Sequence, residues 1–359
     1  MMSKKSITFL LFNTGDCPGG GIKIILEHAN RLVEKGHQVH IVYPASLNWR
    51  KGSFRYKLQC IYIYFKRKYF IGYSSTKWFN LNNKVKEHWT WSLNFPFVPS
   101  TDIYIATEVR TSEYLNKYPI NNSRKFYFIQ DYENWFVTDD FVKSTYHYPL
   151  NKIVITKWLY DIINKEEHEK CTLVPNAFDF TKFRITIPIE NKDKFSISIL
   201  YHWHERKDLR TTIRALEIVK KEIPQIKVVA FGTSANPNIP DWFNYYCSPD
   251  EKTHLLINNQ SSIYVGASKV EGFGLTIGEA MLCGQAVVCT NNKGYLEMAE
   301  NNETALVSEI EDSEALANNI IKLIIDDNLR WRIAHNGYNN IQKFNWNVSS
   351  EALRKALNL

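Results

Sequence analysis

Short apolar runs alternate with amphipathic segments along this chain, beginning close to its first residue. Ser6–Phe12 is apolar and ends in the turn Asn13–Gly21, which contains four glycines. Residues 22–33 then carry apolar side chains at helical spacing, and Val39–Tyr43 is typical of a second strand. A strand, a glycine-rich turn, a helix and a strand in this order predict a parallel sheet with right-handed crossovers.

The same alternation continues through the first half of the chain. Three further strands are predicted, at Ile103–Ala106, Lys125–Ile129 and Lys152–Ile155. After Thr172–Pro175 the sequence becomes rich in charged and β-branched residues over 180–194. We interpret residues 180–194 as the linker between two domains.

A second alternating series begins at Phe195. Its predicted strands are Ser196–Tyr201, Ile226–Phe231 (followed by Gly232), Ile263–Val265 and Ala286–Thr290, and its predicted helices are Leu209–Lys221, Glu251–Ile257, one entered through Gly274–Glu279, and Glu314–Ile325. We therefore predict an α/β protein of two Rossmann-like, doubly wound domains that face each other across a ligand-binding cleft. The first domain would comprise residues 1–180 together with 343–359, and the second residues 181–342.

Length and composition agree with two globular domains. The chain has 359 residues, of which 44% are hydrophobic, enough for two cores. Its longest uncharged apolar stretches reach about a third of the ~20 residues that a membrane-spanning helix requires. Ile7–Phe12 lacks a following small-residue cleavage site, so we interpret it as a buried strand and not a signal peptide. Six cysteines without a C-x-x-C pair predict reduced thiols in a cytoplasmic protein.

The net charge of +7 is unevenly distributed. No Asp or Glu lies between Glu34 and Glu87, where eleven Lys or Arg residues, Arg50 and Lys51 among them, are mixed with aromatic residues. Such a segment would attract polyanions, and we expect an anionic membrane surface as a peripheral partner. The alternative is a solvated positive face whose aromatic residues fold into the core. Nucleic acid is not expected, since no nucleic-acid-binding motif accompanies the charge.

The strongest chemical signal is a pair of acids, Glu271 and Glu279, with Gly272 and Gly274 between them. Glycines at a strand-to-helix junction let backbone N–H groups approach an anion, and the helix N-terminus adds a partial positive charge. The two carboxylates could accept hydrogen bonds from sugar and ribose diols. The alternative is a glycine-rich turn with two solvated acids, although the small residues that follow favour close helix–sheet packing.

Around these acids, EGFGLTIGEAMLCGQAVVCTNNKGYLEM resembles the donor-binding segment of family 4 retaining glycosyltransferases, which have the GT-B fold. Four other segments resemble that family in the same order along the chain: PGGGIKIILEHANRLVEKGHQVHIV, LVPNAFDFTKF, HERKDLRTTIRALEIV and FNWNVSSEALRKAL. The resemblance covers most of the chain and implies that its last helix returns to the first domain.

The resemblance implies a donor site for a nucleoside diphosphate sugar. Glu271 would bind the transferred sugar, Glu279 the ribose and Lys207 the diphosphate. The full set of implied donor-binding residues is Gly20, Gly21, His202, Arg206, Lys207, Gly232, Glu271, Gly272, Phe273, Gly274, Leu275, Thr276 and Glu279. The family usually has an Arg where His202 stands, and Arg206 is the candidate to supply that charge.

The acceptor side departs further from the family, because many members have a His within the stretch that is Phe126–Phe136 here. Gln130, Asp131 and Glu133 are the polar candidates in that stretch. We predict that Asp131 is catalytic, with a structural turn acid as the alternative. The letters FIQDYE resemble a subgroup that includes bacterial rhamnosyltransferases of surface polysaccharide synthesis.

The implied function is transfer of rhamnose or another hexose from a dTDP- or UDP-linked donor to a glycan or lipid-linked acceptor, with retained configuration. Glu271, Lys207 and Asp131 would be the catalytic residues. The protein would be cytoplasmic and would act at the inner face of the cytoplasmic membrane. No cofactor or metal is expected, since no D-x-D occurs and His202 and His204 would point to opposite faces of a strand. The glycine-rich turn matches neither a Walker loop nor a dinucleotide loop. An epimerase or phosphorylase of the same fold and a non-catalytic polysaccharide or lipid-headgroup binder stay open as alternatives.

Overall fold

The computed structural model describes residues 4–12, 19–47, 53–71, 78–135, 137–167 and 171–359. The chain forms two compact units, one of residues 1–176 with 347–359 and the other of residues 177–346. The sequence pattern predicts these divisions after residue 180 and after residue 342.

The first unit is built on a seven-stranded sheet in the order β3-β2-β1-β4-β5-β6-β7, with every neighbouring pair parallel. The strands are β1 (Ser6–Leu10), β2 (Gln38–Pro44), β3 (Lys86–Thr90), β4 (Ile103–Ala106), β5 (Lys125–Ile129), β6 (Asn151–Val154) and β7 (Thr172–Leu173). The helices are α1 (Gly20–Glu34), α2 (Phe54–Phe65) with a π-helical continuation at Lys66–Ile71, α3 (Val109–Asn116), α4 (Asp139–Tyr146) and α5 (Lys157–Glu167). The central strands are apolar on both faces because helices cover a parallel sheet from both sides.

The second unit has a six-stranded parallel sheet in the order β10-β9-β8-β11-β12-β13. The strands are β8 (Ser196–Leu200), β9 (Lys227–Gly232), β10 (Phe243–Cys247), β11 (Ile263–Gly266), β12 (Ala286–Thr290) and β13 (Ala305–Ser308). The helices are α6 (Leu209–Glu222), α7 (Glu251–Gln260), α8 (Leu275–Leu282), α9 (Ser313–Ile325) and α10 (Asp327–Ile341). The last helix, α11 (Trp346–Ala356), counts with the first unit from Asn347 onward.

The prediction that residues 180–194 form a linker is wrong, because this segment packs into the second unit. Ile189 is buried against the core of that unit. Lys192 is also buried, and its Nζ donates to the carbonyl oxygens of Asn258, Ser261 and Cys283 at 3.2, 3.2 and 2.6 Å. Burial lowers the pKa of Lys192 to about 8. Lys192 is therefore a buried, hydrogen-bonded cation of the second unit and not part of an exposed linker.

No helix in the described part of the chain is long and apolar enough to cross a membrane.

Close packing of α8 against the chain entering the second unit makes Gly278 sensitive to substitution. A Cβ at Gly278 would lie 2.1 Å from Cζ of the buried Phe178 ring. Gly278→Ala should lower the free energy of unfolding by about 1–3 kcal/mol, the usual cost of overpacking, although alanine favours helix. Chemical denaturation measures the change. In a Phe178→Leu background the same substitution should cost less, and an equal cost in both backgrounds would contradict this contact as the cause.

Candidate active site

Two loops of the second unit meet at the carboxyl edge of its sheet. β8 and β11 are neighbours, and the loops that follow them carry Lys207 and Glu271. The strand order reverses between β8 and β11, because β9 and β10 lie on one side while β12 and β13 lie on the other. In open α/β sheets, ligands bind outside the carboxyl ends of the strands at this reversal.

Glu271 is the centre of the site, and three groups converge on one of its oxygens. Lys207 Nζ lies 2.5 Å from Glu271 Oε1, Ser268 Oγ donates to the same atom at 2.7 Å, and the Tyr295 hydroxyl donates at 3.4 Å. The Tyr295 hydroxyl is also 3.0 Å from Ser268 Oγ. Glu271 Oε2 has no hydrogen-bond partner among the described residues, so it is the oxygen available to a ligand hydroxyl.

The surroundings of Glu271 keep it ionised although its side chain is only 11% exposed. Burial raises the pKa of this carboxyl, but the charge of Lys207 and hydrogen bonds from Lys207 and Ser268 outweigh burial and bring the pKa below its ordinary value. Burial and the charge of Glu271 raise the pKa of Tyr295 well above its ordinary value, so Tyr295 stays a neutral donor. The site therefore presents a fixed carboxylate at neutral pH.

Two glycines let the loop close around this carboxylate. Gly274 has φ +91° and caps α8, and a Cβ there would lie 2.4 Å from the Tyr295 ring. A Cβ at Gly294 would lie 2.3 Å from the carbonyl oxygen of Glu271. Both positions accordingly exclude a side chain.

The N-terminus of α8 faces the same loop without a charge to neutralise it. Its cap, Gly274, makes no side-chain hydrogen bond, and its first turn contains no acidic residue. The first backbone N–H groups of a helix have no partner within the helix, and the helix dipole is positive there. The amides of Leu275 and Thr276 are consequently suited to an anion.

The alternative of two solvated acids is wrong, because Glu279 is buried within α8 and Glu271 nearly so. The structure gives Phe273 a packing role, since its ring lies 5.9 Å from that of Phe178 and 5.4 Å from that of Phe344. Gly272 is buried in the same loop. Phe273 can therefore offer a ligand only its backbone.

The basic loop after β8 differs from its predicted form. β8 ends at Leu200, so His202 and His204 lie in a loop, with rings 6.3 Å apart, and the expectation that they point to opposite faces of a strand is wrong. Burial, followed by the charge of Lys207, lowers the pKa of His202, which is neutral at neutral pH. His202 thus does not replace the charge of the Arg found in the family.

Backbone contacts hold this loop in place. The Lys269 N–H donates to the carbonyl oxygen of Arg206 at 2.8 Å, which joins the two loops of the site. Asp208 adopts φ 43° and caps α6 through its side chain. On the next strand, a Cβ at Gly232 would lie 2.4 Å from the Tyr201 carbonyl oxygen, so the end of β9 also requires glycine. The backbone hydrogen bond to Arg206 and the cap at Asp208 hold the short loop that carries Lys207.

A second group of predicted residues lies at the carboxyl edge of the other sheet, in the first unit. Gly20 and Gly21 begin α1, and a Cβ at Gly21 would lie 3.3 Å from the Gln130 amide at the end of β5. Gln130 Oε1 is buried and has no hydrogen-bond partner in the described part of the chain. The preceding part of the glycine-rich turn, Asn13–Pro18, lies outside the described residues, as do Arg50, Lys51 and Phe136.

The acids of this edge have different environments. Asp131 is half-buried, and its Oδ1 accepts from the Tyr132 N–H at 2.8 Å. Glu133 is buried, and its Oε2 accepts from the Val109 N–H at 2.5 Å. Glu108, which was not predicted from the sequence, caps α3 and pairs with Arg110 Nε at 2.9 Å. Its position between a predicted strand and the helix that follows could have indicated a helix-capping residue.

Burial, followed by the charge of Glu108, raises the pKa of Glu133 well above its ordinary value. Folding therefore favours the protonated form of Glu133, which can donate a hydrogen bond, more than water would. Within the described residues, no group of three or more His, Cys, Asp or Glu side chains could hold a metal ion.

The chain also resembles known proteins in sequence. Residues 179–340 match the family model of glycosyl transferases group 1. The second unit contains a glycosyltransferase group 1 domain. The capsular polysaccharide biosynthesis glycosyltransferase CapM of Staphylococcus aureus is 27% identical over 200 residues, which are 51% of this chain and 53% of CapM. Probable sucrose-phosphate synthase 3 of Arabidopsis thaliana is 34% identical over 93 residues, 26% of this chain and 9% of that protein. The chain spans about half of CapM and less of the synthase.

Solved structures show the fold of the whole chain. Sucrose-phosphate synthase of Thermosynechococcus elongatus has a TM-score of 0.73 at 14% identity, with 98% of both chains covered. HepE of Anabaena in complex with UDP-glucose has a TM-score of 0.70 at 16% identity, covering 99% of this chain and 100% of HepE. A variant of S. aureus TarM, in complex with UDP, Fondaparinux and alpha-GlcNAc-glycerol, has a TM-score of 0.73 at 12% identity, with 99% and 100% covered. The predicted fold class, two Rossmann-like domains of GT-B type, is confirmed.

The ion pair of Lys207 and Glu271 should stabilise the second unit before any ligand binds. Lys207→Ala leaves a nearly buried carboxylate without its cation, so we expect a loss of about 1.5–3 kcal/mol at neutral pH. The pKa of Glu271 is depressed in the folded state, so this stabilisation is present above its unfolded pKa and is lost as pH falls through its folded pKa. The test is to measure the free energy of unfolding of wild type and of Lys207→Ala between pH 3 and 7. A loss in Glu271→Gln/Lys207→Ala that equals the sum of the two single losses would contradict the pairing.

Glu133 should have the opposite pH dependence. Its folded pKa is raised above its unfolded value near 4.5, so its contribution to stability falls as pH rises from about 4.5 toward the folded pKa. Glu133→Gln, which mimics the neutral acid, should match wild type near pH 4 and exceed it in Tm near pH 8. The control is Glu113→Gln, which removes an acid of α3 whose side chain is partly exposed and paired with Lys117. A lower Tm for Glu133→Gln than for wild type at pH 8 would show that the carboxylate form caps α3.

Proposed function

We propose that this chain is a glycosyltransferase of bacterial polysaccharide biosynthesis that transfers a sugar from a nucleoside diphosphate donor to a hydroxyl of its acceptor. The observation that carries this proposal is Glu271, which is ionised and nearly buried and has one open oxygen. It pairs with Lys207 and lies in the loop that leads into α8, whose N-terminus has no side-chain cap. The group 1 domain, the similarity to CapM and the UDP and UDP-glucose complexes of TarM and HepE support this assignment.

In the proposed donor complex, the open oxygen of Glu271 accepts hydrogen bonds from the transferred sugar, and Glu279 accepts from the ribose. The amides of Leu275 and Thr276 and the ammonium of Lys207 receive the diphosphate. Negative charge grows on the diphosphate as the sugar leaves, so these groups would stabilise the transition state more than the bound donor. Lys207 is held near this charge because Glu271 fixes its position.

We propose retention of configuration, without a covalent intermediate on Glu271. An ion-paired carboxylate that also accepts from Ser268 and Tyr295 is a weak nucleophile. The acceptor hydroxyl would instead attack from the face of the departing diphosphate, which can take its proton. Asp131 remains the proposed acceptor-side catalytic residue, and the buried Glu133, whose pKa is raised, lies two residues further along the chain.

For the donor, we propose rhamnose or another hexose carried on dTDP or UDP. The acceptor would be a glycan or a lipid-linked molecule at the inner face of the cytoplasmic membrane. The similarity of FIQDYE to rhamnosyltransferases supports the sugar, and the UDP-glucose complex of HepE supports the nucleotide class. Thermal-shift measurements with UDP, dTDP and GDP and their sugars would identify the donor. Transfer assays with the best binder would then detect the glycosylated acceptor. Isomerised sugar without transfer would indicate an epimerase, and donor binding without turnover a non-catalytic binder.

Glu271→Gln should preserve folding and reduce kcat/KM at least tenfold, because its carboxylate accepts from the sugar as charge develops. Steady-state kinetics with the identified donor provide the measurement. Glu314→Gln, at an exposed position of the same unit, makes the same charge change and should leave kcat/KM unchanged. If the Glu271 variant keeps more than a tenth of wild-type kcat/KM, the lost stabilisation is below about 1.4 kcal/mol and the assignment fails.

A further inference from the structure

α2 and its π-helical continuation have one face that is fixed to the first unit. Cys60 is buried on this face, and the Tyr56 hydroxyl lies 3.0 Å from Ser46 Oγ. Trp89 of β3 donates its Nε1–H to the carbonyl oxygen of Tyr64 at 3.2 Å and stacks on the Tyr64 ring. The helix is therefore anchored to the edge of its sheet and presents its opposite side outward.

The outward side is an apolar stripe. Positions 54, 58, 62, 65 and 69 are spaced by four, four, three and four residues, so they share one helical face. Their exposed fractions, with the next residue Phe70, are 76% for Phe54, 49% for Leu58, 62% for Tyr62, 46% for Phe65, 64% for Tyr69 and 84% for Phe70. The alternative that the aromatic residues of this segment fold into the core is wrong for these side chains. An exposed apolar patch of this kind marks an interaction surface.

Cations border the stripe. Lys66 Nζ lies 5.4 Å from the centre of the Tyr62 ring, and Lys68 Nζ lies 5.3 Å from that of Tyr69. Neither lysine pairs with a carboxylate among the described residues. The sequence has no acid between Glu34 and Glu87, so this segment itself supplies no carboxylate to offset its positive charge.

This combination decides between kinds of partner. A second copy of the chain presenting the same face would bring its lysines against like charges, which is unfavourable. Single-stranded nucleic acid binds in grooves that track its backbone, whereas this stripe is the convex side of a helix. An anionic bilayer accommodates both features, because aromatic and aliphatic side chains enter the boundary below the headgroups while Lys and Arg contact the phosphates.

We propose that residues 54–70 form a membrane-docking surface, with α2 lying in the plane of an anionic bilayer and the apolar stripe inserted at headgroup depth. This docking proposal rests on the proposed function, because the purpose of docking would be access to a lipid-linked acceptor. Attachment itself requires no substrate. It would be peripheral and weakened by salt, because the cations act through screened charge.

The test is co-sedimentation of the full chain with phosphatidylcholine vesicles, with and without 30% phosphatidylglycerol, at low and high salt. Wild type should pellet with the anionic vesicles only, and less at high salt. Phe65→Ser/Tyr69→Ser/Phe70→Ser and, separately, Lys66→Ser/Lys68→Ser should each weaken partitioning at least tenfold. These side chains are exposed, so both variants should keep the Tm of wild type.

Matched controls separate the surface from general effects. Leu256→Ser/Ile325→Ser removes exposed apolar side chains of the second unit, and Lys252→Ser/Lys322→Ser removes two exposed cations there. Both controls should pellet like wild type. Equal pelleting with neutral and anionic vesicles, or wild-type pelleting of both surface variants, would overturn the proposal. Binding of single-stranded RNA, or self-association, that the surface variants lose while vesicles bind nothing would overturn it in favour of that partner.

Failure of docking and failure of the proposed function give different results. Surface variants that keep the thermal shift with the identified nucleotide sugar and transfer to a soluble acceptor, yet lose vesicle binding, support both. Vesicle binding without any transfer activity would support docking and reject the proposed function.

Discussion

One buried oxygen, Oε1 of Glu271, carries the arrangement of the candidate site. Removing a carboxylate from water is costly unless charge and hydrogen bonds compensate. Lys207, Ser268 and Tyr295 supply both, and they come from three separate loops of the second unit. Because all three meet at one atom, the loops are fixed relative to each other and the second oxygen stays open. The stability of the unit and the sugar binding proposed for it thus depend on the same contacts.

Parallel sheets explain why these loops meet at all. In each unit the strand order reverses near its centre, between β1 and β4 in the first and between β8 and β11 in the second. Residues that follow the parallel strands of one sheet are brought to the same edge, however distant in sequence. The same rule places Gly21 beside Gln130 and Lys207 beside Glu271. Each unit repeats one architecture, while the polar residues at its edge decide what it can bind.

The sequence predicted the parts of this molecule that depend on local pattern. The central strands were predictable because they are continuous apolar runs, whereas the edge strands β3 and β10 were missed because KEHWT and FNYYC are polar or mixed. Glu271 and Lys207 were found through motif and resemblance. Ser268 and Tyr295 were not, since a partner chosen by tertiary packing leaves no periodic signal. Lys192 was misread as part of a linker for the same reason.

Residues 54–70 show most clearly what could not be predicted from the sequence. Their composition allowed two outcomes, a core-facing or an exposed set of rings, because α2 carries apolar residues on both sides. Only the contacts of Cys60, Tyr56 and Tyr64 with their own unit decide which side is taken, and they leave Phe54, Tyr62 and Tyr69 outside. A helix whose two sides are both apolar cannot be buried by one sheet edge. The absence of acids in the surrounding sequence then matters physically, since it keeps the exposed side attractive to an anionic surface.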